Sequence, residues 1–270
     1  MGAGFRRIFN YGSFAITSIF GLLRAKKPDY IFIESPPLLL AVPGYIFARL
    51  WGVPFILNVA DLWPDSAIEL GFLKSPTLIG VLFALERWSY QKASFVNAMA
   101  ERVKELLLLE EVLLSEKILF LPNGVDTKHF QPQAADPALK RELGLEGKKI
   151  VLYQGTLGHA HGLDVVLHAA KLLEKHADIH FLLLENGSDR ARLEKFRSSL
   201  GLRNLSFHDP VSIQQLPSFF SIAECGLASL RSNPVFDGTR PAKIFPVLAS
   251  GKALIFVGRG EAARIVEQAA

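Results

Sequence analysis

The chain of 270 residues has one cysteine and two methionines. A lone cysteine excludes an internal disulfide, so neither half is a small cross-linked scaffold. Cys225 opens the apolar run Cys225 to Leu230 and reads as a small core residue. Long hydrophobic runs are missing too. The most apolar region, Ile31 to Val59, is broken by Glu34, Arg49 and several prolines, and its central run, Pro36 to Ala48, is too short to span a bilayer. Dense basic tracts are absent: the net charge is +4, from 30 Lys and Arg against 26 Asp and Glu, which argues against a nucleic-acid binder. His159 and His161 alternate with no cysteine or carboxylate at metal-ligand spacing, so neither a metal site nor a bound cofactor is expected. Asn186-Gly-Ser188 fits the glycosylation pattern but reads as a turn.

What is present is globular: half the residues are hydrophobic and 21% are charged. Strand-like runs are expected at Tyr30–Ile33, Pro54–Asn58, Ser94–Asn97, Ile118–Leu121, Lys149–Tyr153, His180–Leu184, Leu205–His208, Cys225–Ala228 and Ala253–Phe256. Helical periodicity separates them, as in Thr77–Gln91, Leu163–Leu173, Asp189–Leu200 and Ala262–Gln268. This rhythm predicts an α/β protein with two Rossmann-like parallel sheets. The polar, proline-bearing stretch His129 to Pro137 marks the boundary, giving domains at 1–131 and 132–270. The chain begins in a helical pattern and stops within one, so both domains are expected to be incomplete.

The most informative segment is Tyr153-Gln-Gly-Thr-Leu-Gly158, followed by His161-Gly-Leu-Asp164. A strand running into a glycine-bearing turn and a helix start presents backbone N–H groups to an anion, usually phosphate. Tight βα turns also use glycine for steric reasons alone. Some 80 residues later, Arg240-Pro-Ala-Lys243 and Ala249-Ser-Gly-Lys252 supply a second loop suited to anions, and together the two suggest a nucleotide-diphosphate site. Pro241, Ala242 and Lys243 lie at an expected helix start, where Lys243 either meets the diphosphate or is a solvated helix residue. In the first half, Asp61 follows a buried strand and opens the Asp61-Leu-Trp-Pro-Asp65 turn, at the end of the sheet where ligands bind, or else caps that turn. Glu34 ends the preceding strand and has the same two readings. Phe5-Arg-Arg-Ile-Phe and Phe14 to Leu23, ending in Arg24-Ala-Lys-Lys27, form an apolar helix rimmed by cations, suited to an anionic membrane surface or to a core position.

In order and spacing, these segments resemble the retaining glycosyltransferases of family 4, which have the two-domain GT-B architecture. Besides those above, the resemblance rests on Lys27-Pro-Asp-Tyr-Ile, Glu34-Ser-Pro-Pro37, Leu85-Glu-Arg-Trp-Ser-Tyr90, Leu121-Pro-Asn-Gly-Val-Asp126, Glu185-Asn-Gly187 and Gly260-Glu-Ala-Ala-Arg264. The chain resembles in particular the bacterial cell-surface polysaccharide enzymes with an Asp-Leu-Trp-Pro segment. The resemblance implies transfer of a sugar from a nucleoside diphosphate, with UDP expected, to a polysaccharide or lipid-linked acceptor. It also implies cytoplasmic work, at the inner face of the membrane where α-helical cations favour it.

Residue by residue, it places the diphosphate at Gly155, Thr156 and Gly158, beside Gly187, with basic residues at the positions of Thr156 and His161. Here a threonine and a titratable histidine stand instead, and Lys243 is expected to supply the charge. It puts a catalytic or acceptor-facing group at Asp61 and leaves Glu34 on the acceptor side. The family's Glu-x7-Glu pair maps onto Gly238 and Pro246, so both acids are missing. Two rivals follow: a truncated or degenerate module that binds a partner without turnover, and a nucleotide-sugar 2-epimerase, which the Asp-Leu-Trp-Pro and Arg-Pro-Ala-Lys segments fit poorly.

Overall fold

A computed structural model describes residues 3–109 and 113–269. The first half contains α1 (Ala3–Arg24), β1 (Ile31–Ser35), α2 (Ala41–Trp51), β2 (Phe55–Val59), α3 (Asp65–Glu69), α4 (Pro76–Lys92), β3 (Phe95–Ala98), α5 (Glu101–Leu109) and β4 (Ile118–Phe120). The second contains α6 (Pro137–Glu142), β5 (Lys149–Gln154), α7 (Asp164–Leu172), β6 (Ile179–Leu184), α8 (Arg190–Leu200), β7 (Leu205–His208), α9 (Leu216–Ile222), β8 (Ala223–Ser229), α10 (Ile244–Ala249), β9 (Ala253–Val257) and α11 (Glu261–Gln268). Local chemistry sets the helix ends. The Asp136 carboxylate accepts from the Ala138 and Leu139 amides at 3.0 and 3.1 Å, with Pro137 opening α6. Gly52 and Gly201 close α2 and α8 in the left-handed conformation that L side chains avoid.

Every strand pairing is parallel. The first sheet has the order β1-β2-β3-β4, the second β7-β6-β5-β8-β9. In the second, the chain moves outward from β5 in one direction and then jumps back to lay β8 on its other side. The carboxyl ends of β5 and β8 therefore form a topological switch point, where diverging loops leave room for a ligand. The first sheet buries Phe55, Leu57, Val96 and Ala98 against α2 and α4 residues such as Phe47 and Tyr90. The second is covered on both sides, by a cluster around Leu163, Leu167 and Leu183 and another around Ile150, Phe219 and Phe220. Near-continuous apolar strands follow from that double cover.

The chain divides into two compact units. One runs to Asn123 and takes in Pro234–Arg240; the other comprises Gly124–Asn233 and the residues from Pro241 onward. Sequence reading placed the break at 131/132 instead. The unit boundary comes earlier because Phe130 is buried in the second core, 5.9 Å from the Phe220 ring. The return of Pro234–Arg240 to the first unit is a second crossing that sequence reading did not place. Cys225, read as a core residue, is half-buried.

Candidate functional site

Gly155 follows β5 directly, at φ +132°, and gives its N–H to the Leu184 carbonyl at 3.2 Å. A side chain there would be strained by its backbone and would place Cβ 3.0 Å from Lys243 Cε. Lys243 reaches beneath this turn. Its ammonium donates to the Tyr153 hydroxyl at 2.6 Å and lies 4.5 Å from the centre of the Tyr153 ring. The Tyr153 hydroxyl donates to the Thr156 carbonyl at 3.1 Å. Lysine, strand end and glycine turn are thus one connected unit. Burial brings the Lys243 ammonium down from 10.5 to about 7. Lys243 is therefore not the solvated helix residue that sequence reading allowed. It is also not in a helix: α10 starts one residue later, with Lys243 as its N-cap.

His161 corrects a second expectation. Burial, followed by the Lys243 charge, pushes its imidazole down to about 4, against a raising contact with the Ser229 carbonyl. Nδ1 lies 3.3 Å from that carbonyl and Nε2 3.4 Å from Lys243 Nζ. A neutral ring satisfies both, donating from Nδ1 and accepting at Nε2. The ring cannot serve as the titratable cation near neutral pH that its place in the sequence suggested. The Ser229 hydroxyl in turn donates to the His161 carbonyl at 2.6 Å, joining the carboxyl end of β8 to the loop after β5 across the switch point.

The other histidine of this turn, His159, is half-buried. His159 Nδ1 lies 3.1 Å from Asp189 Oδ1, and the Asp189 side chain is 1% exposed. Arg192 holds the same carboxylate through two contacts of 2.7 Å and forks onto Asp164 at 2.5 and 2.8 Å. Its hydrogen bonds hold both carboxyl groups below the usual carboxylate range. Sequence reading missed His159, Asp189 and Arg192 as a group, since 28 residues separate Asp164 from Arg192. Gly187 sits where backbones touch: its missing Cβ would lie 2.2 Å from the Leu157 carbonyl oxygen. Next to it, Glu185 holds a φ of 138°, a strained value for a residue with a side chain.

Several donors at this end of the sheet are uncommitted. Among the described residues, the N–H groups of Thr156, His159, Ala160, Ala242 and Lys243 have no protein acceptor, whereas the Gly158 amide turns back to the Thr156 carbonyl at 3.0 Å. Pro241 is buried, and its carbonyl accepts from Ile244 at 3.2 Å. Free amides, a buried ammonium and glycines that permit close approach form an anion cradle in chemical terms.

In the first unit, Asp61 is half-buried at the end of β2. Its carboxyl accepts from the Ser66 hydroxyl and the Leu62 amide, so it does cap its own turn, yet burial outweighs these contacts and raises its pKa. Glu34 is exposed, in register with Asn58. Gly238, the position of the first missing acid, is closed to side chains: a Cβ would lie 2.6 Å from Arg102 Cβ. Pro246, the second, lies within α10. No group of three or more His, Cys, Asp or Glu side chains among the described residues is placed to hold a metal ion.

Residues 4–124 match the family described as "Glycosyl transferase 4-like domain", and residues 136–267 match "Glycosyl transferases group 1". The putative colanic acid biosynthesis glycosyl transferase WcaI of Escherichia coli K12 is 32% identical over 255 residues, which cover 91% of this chain and 62% of that protein. Among solved structures, Anabaena Alr3699/HepE in complex with UDP and glucose superimposes with a TM-score of 0.69 at 15% identity, over 95% of this chain and 64% of that one. WaaG, a glycosyltransferase involved in lipopolysaccharide biosynthesis, gives a TM-score of 0.65 at 13% identity, over 90% of this chain and 70% of that one. The chain thus spans under two thirds of the length of WcaI and HepE. Two parallel-sheet units, two glycosyltransferase domains in tandem and a relative of this similarity along almost the whole chain mean that it belongs to the family 4 glycosyltransferases of GT-B fold.

Proposed function

We propose that this chain transfers a sugar, with retention, from a nucleoside diphosphate to a polysaccharide or lipid-linked acceptor, and that its second unit holds the donor. The observation that carries this reading is the set of unpartnered amides around Gly155 and Ala242 with Lys243 beneath them. A departing diphosphate develops negative charge, and preorganised donors with a desolvated cation stabilise it. HepE, alike in fold, binds UDP, which makes UDP the first diphosphate to test. No metal is needed in this scheme, because amides and Lys243 take its place. Asp61 is assigned to the sugar or acceptor and Glu34 to the acceptor side. The decisive measurement is a UDP titration in chelator, followed by NMR and calorimetry. Shifts of the Gly155, Thr156, His159, Ala160 and Ala242 amides are expected; no binding of UDP, GDP or ADP at millimolar concentration defeats the nucleotide reading.

The acceptor side is assigned to a membrane face. Phe9, Ile16, Phe20 and Leu23 are 56–68% exposed and recur at helical spacing along one stripe of α1, which ends in the exposed cations Arg24, Lys26 and Lys27. The side chains of Phe5, Arg6 and Arg7 lie outside the described residues. Among those described, no helix is long and apolar enough to cross a membrane. This favours a peripheral position on an anionic inner leaflet, which is the cytoplasmic side.

One observation favours a second reading, a binding module without turnover: Gly238 has no room for an acid and Pro246 replaces the other. UDP binding without sugar transfer or slow donor hydrolysis selects it.

A further inference from the structure

At the amino end of the first sheet, opposite the end that carries Glu34 and Asp61, lies a cleft of about 770 Å3. Three cations line it, Arg49, Lys92 and Lys117, and no Asp or Glu does. None of the three makes an ion pair among the described residues. Parallel topology gathers them: Arg49 lies in the last turn of α2, Lys92 ends α4, and Lys117 immediately precedes β4. The bland account is that cations at helix C-termini offset the helix dipoles. Each terminus carries about half a negative charge, so two of them offset about one of the three cations and leave about two. Neutral donors join them. The Ser94 hydroxyl oxygen accepts from the Phe55 amide at 3.2 Å, which leaves its own proton to donate, and the Gln91 amide and Tyr45 phenol also line the space.

We propose that this cleft is a binding site for a phosphate ester, separate from the donor site. Net charge of about +2 matches a phosphate monoester, and the volume admits the small polar group that bears it. A five-residue strand rising about 3.3 Å per residue sets the cleft about 16 Å from the Asp61 end. A free sugar phosphate and a lipid headgroup present the same chemistry here.

The test is an NMR titration with glycerol 3-phosphate, alongside sedimentation with phosphatidylglycerol and phosphatidylcholine vesicles. The parent is compared with Arg49→Gln/Lys92→Gln/Lys117→Gln and with a charge-matched control, Lys128→Gln/Lys195→Gln/Arg203→Gln, at exposed positions of the second unit. Shifts at Ser94 and Gln91, lost at least tenfold in the cleft variant and less than twofold in the control, support a soluble phosphate ester. Binding only to phosphatidylglycerol vesicles, with the same contrast between variants, supports a headgroup. No shift and no vesicle binding, or equal losses in both variants, overturns the site. UDP binding is expected to stay unchanged in the cleft variant, so failure here and failure of the donor reading remain distinguishable.

Discussion

At Lys243 the interests of folding and of binding diverge. The unfolded chain keeps the lysine protonated up to 10.5, the folded chain only to about 7. Between these values the unfolded state carries more protons, so stability rises with pH across that window and the cost is fully present below pH 7. Lys243→Met keeps the stem, removes the charge, and leaves Tyr153 its bond to the Thr156 carbonyl. It is expected to stabilise the fold by about 1–3 kcal/mol at pH 7 while weakening UDP binding by roughly tenfold to a hundredfold. Scanning calorimetry and UDP titration check both halves. A variant that melts lower, or that binds UDP like the parent, contradicts the placement of the ammonium.

Loops and strands carry the argument at the next scale. The turns after β5 and β6 are stitched together: the Leu157 amide donates to the Asn186 carbonyl and the Asp189 amide to the Leu157 carbonyl, each at 2.9 Å. Gly187 makes this approach possible. Gly187→Ala must force the two backbones apart, with an expected loss of about 2–4 kcal/mol and faster hydrogen exchange at the Leu157 amide. A melting temperature and exchange rate equal to the parent's would refute it. These turns also show where sequence stops being informative. All nine strand positions were legible, because doubly covered parallel strands are short apolar runs between turn residues, and their limits shifted by only one or two residues, as at Ala223–Ser229. The glycine loop was legible for the same local reason. The depth of Lys243, the neutral state that burial forces on His161, and the closure of Gly238 were not. Each depends on a neighbour far along the chain: Tyr153 for Lys243, Ser229 for His161, Arg102 for Gly238.

For the molecule as a whole, the buried groups whose ionisation shifts on folding pull in opposite directions in the two units. His161 and His180 belong to the second unit, and burial brings both down to about 4 from 6.5. Their neutral rings cost nothing above pH 6.5, and stability is lost as pH falls toward 4, by on the order of 3 kcal/mol each at most. Below that, Asp164 and Asp189, held low by Arg192, add to the loss. Asp61, in the first unit, is raised instead, so its folded form takes up a proton before the unfolded chain does and gains stability on acidification. Trp51, Trp63 and Trp88 all lie in the first unit, so tryptophan fluorescence reports that unit while far-UV circular dichroism reports both. Between pH 6.5 and 4 the dichroism transition is expected to fall below the fluorescence transition; coincident curves throughout would contradict the assignment.

The room at Gly238 is set by Arg102. With Cβ of any replacement 2.6 Å from Arg102 Cβ, no side chain fits at position 238 unless one of the two backbones shifts. Because the near atom is Cβ, trimming Arg102 to any residue but glycine leaves the contact in place. Positions 102 and 238 are therefore coupled: substitutions at the two are expected to be non-additive in stability, and a double-mutant cycle reads that coupling directly.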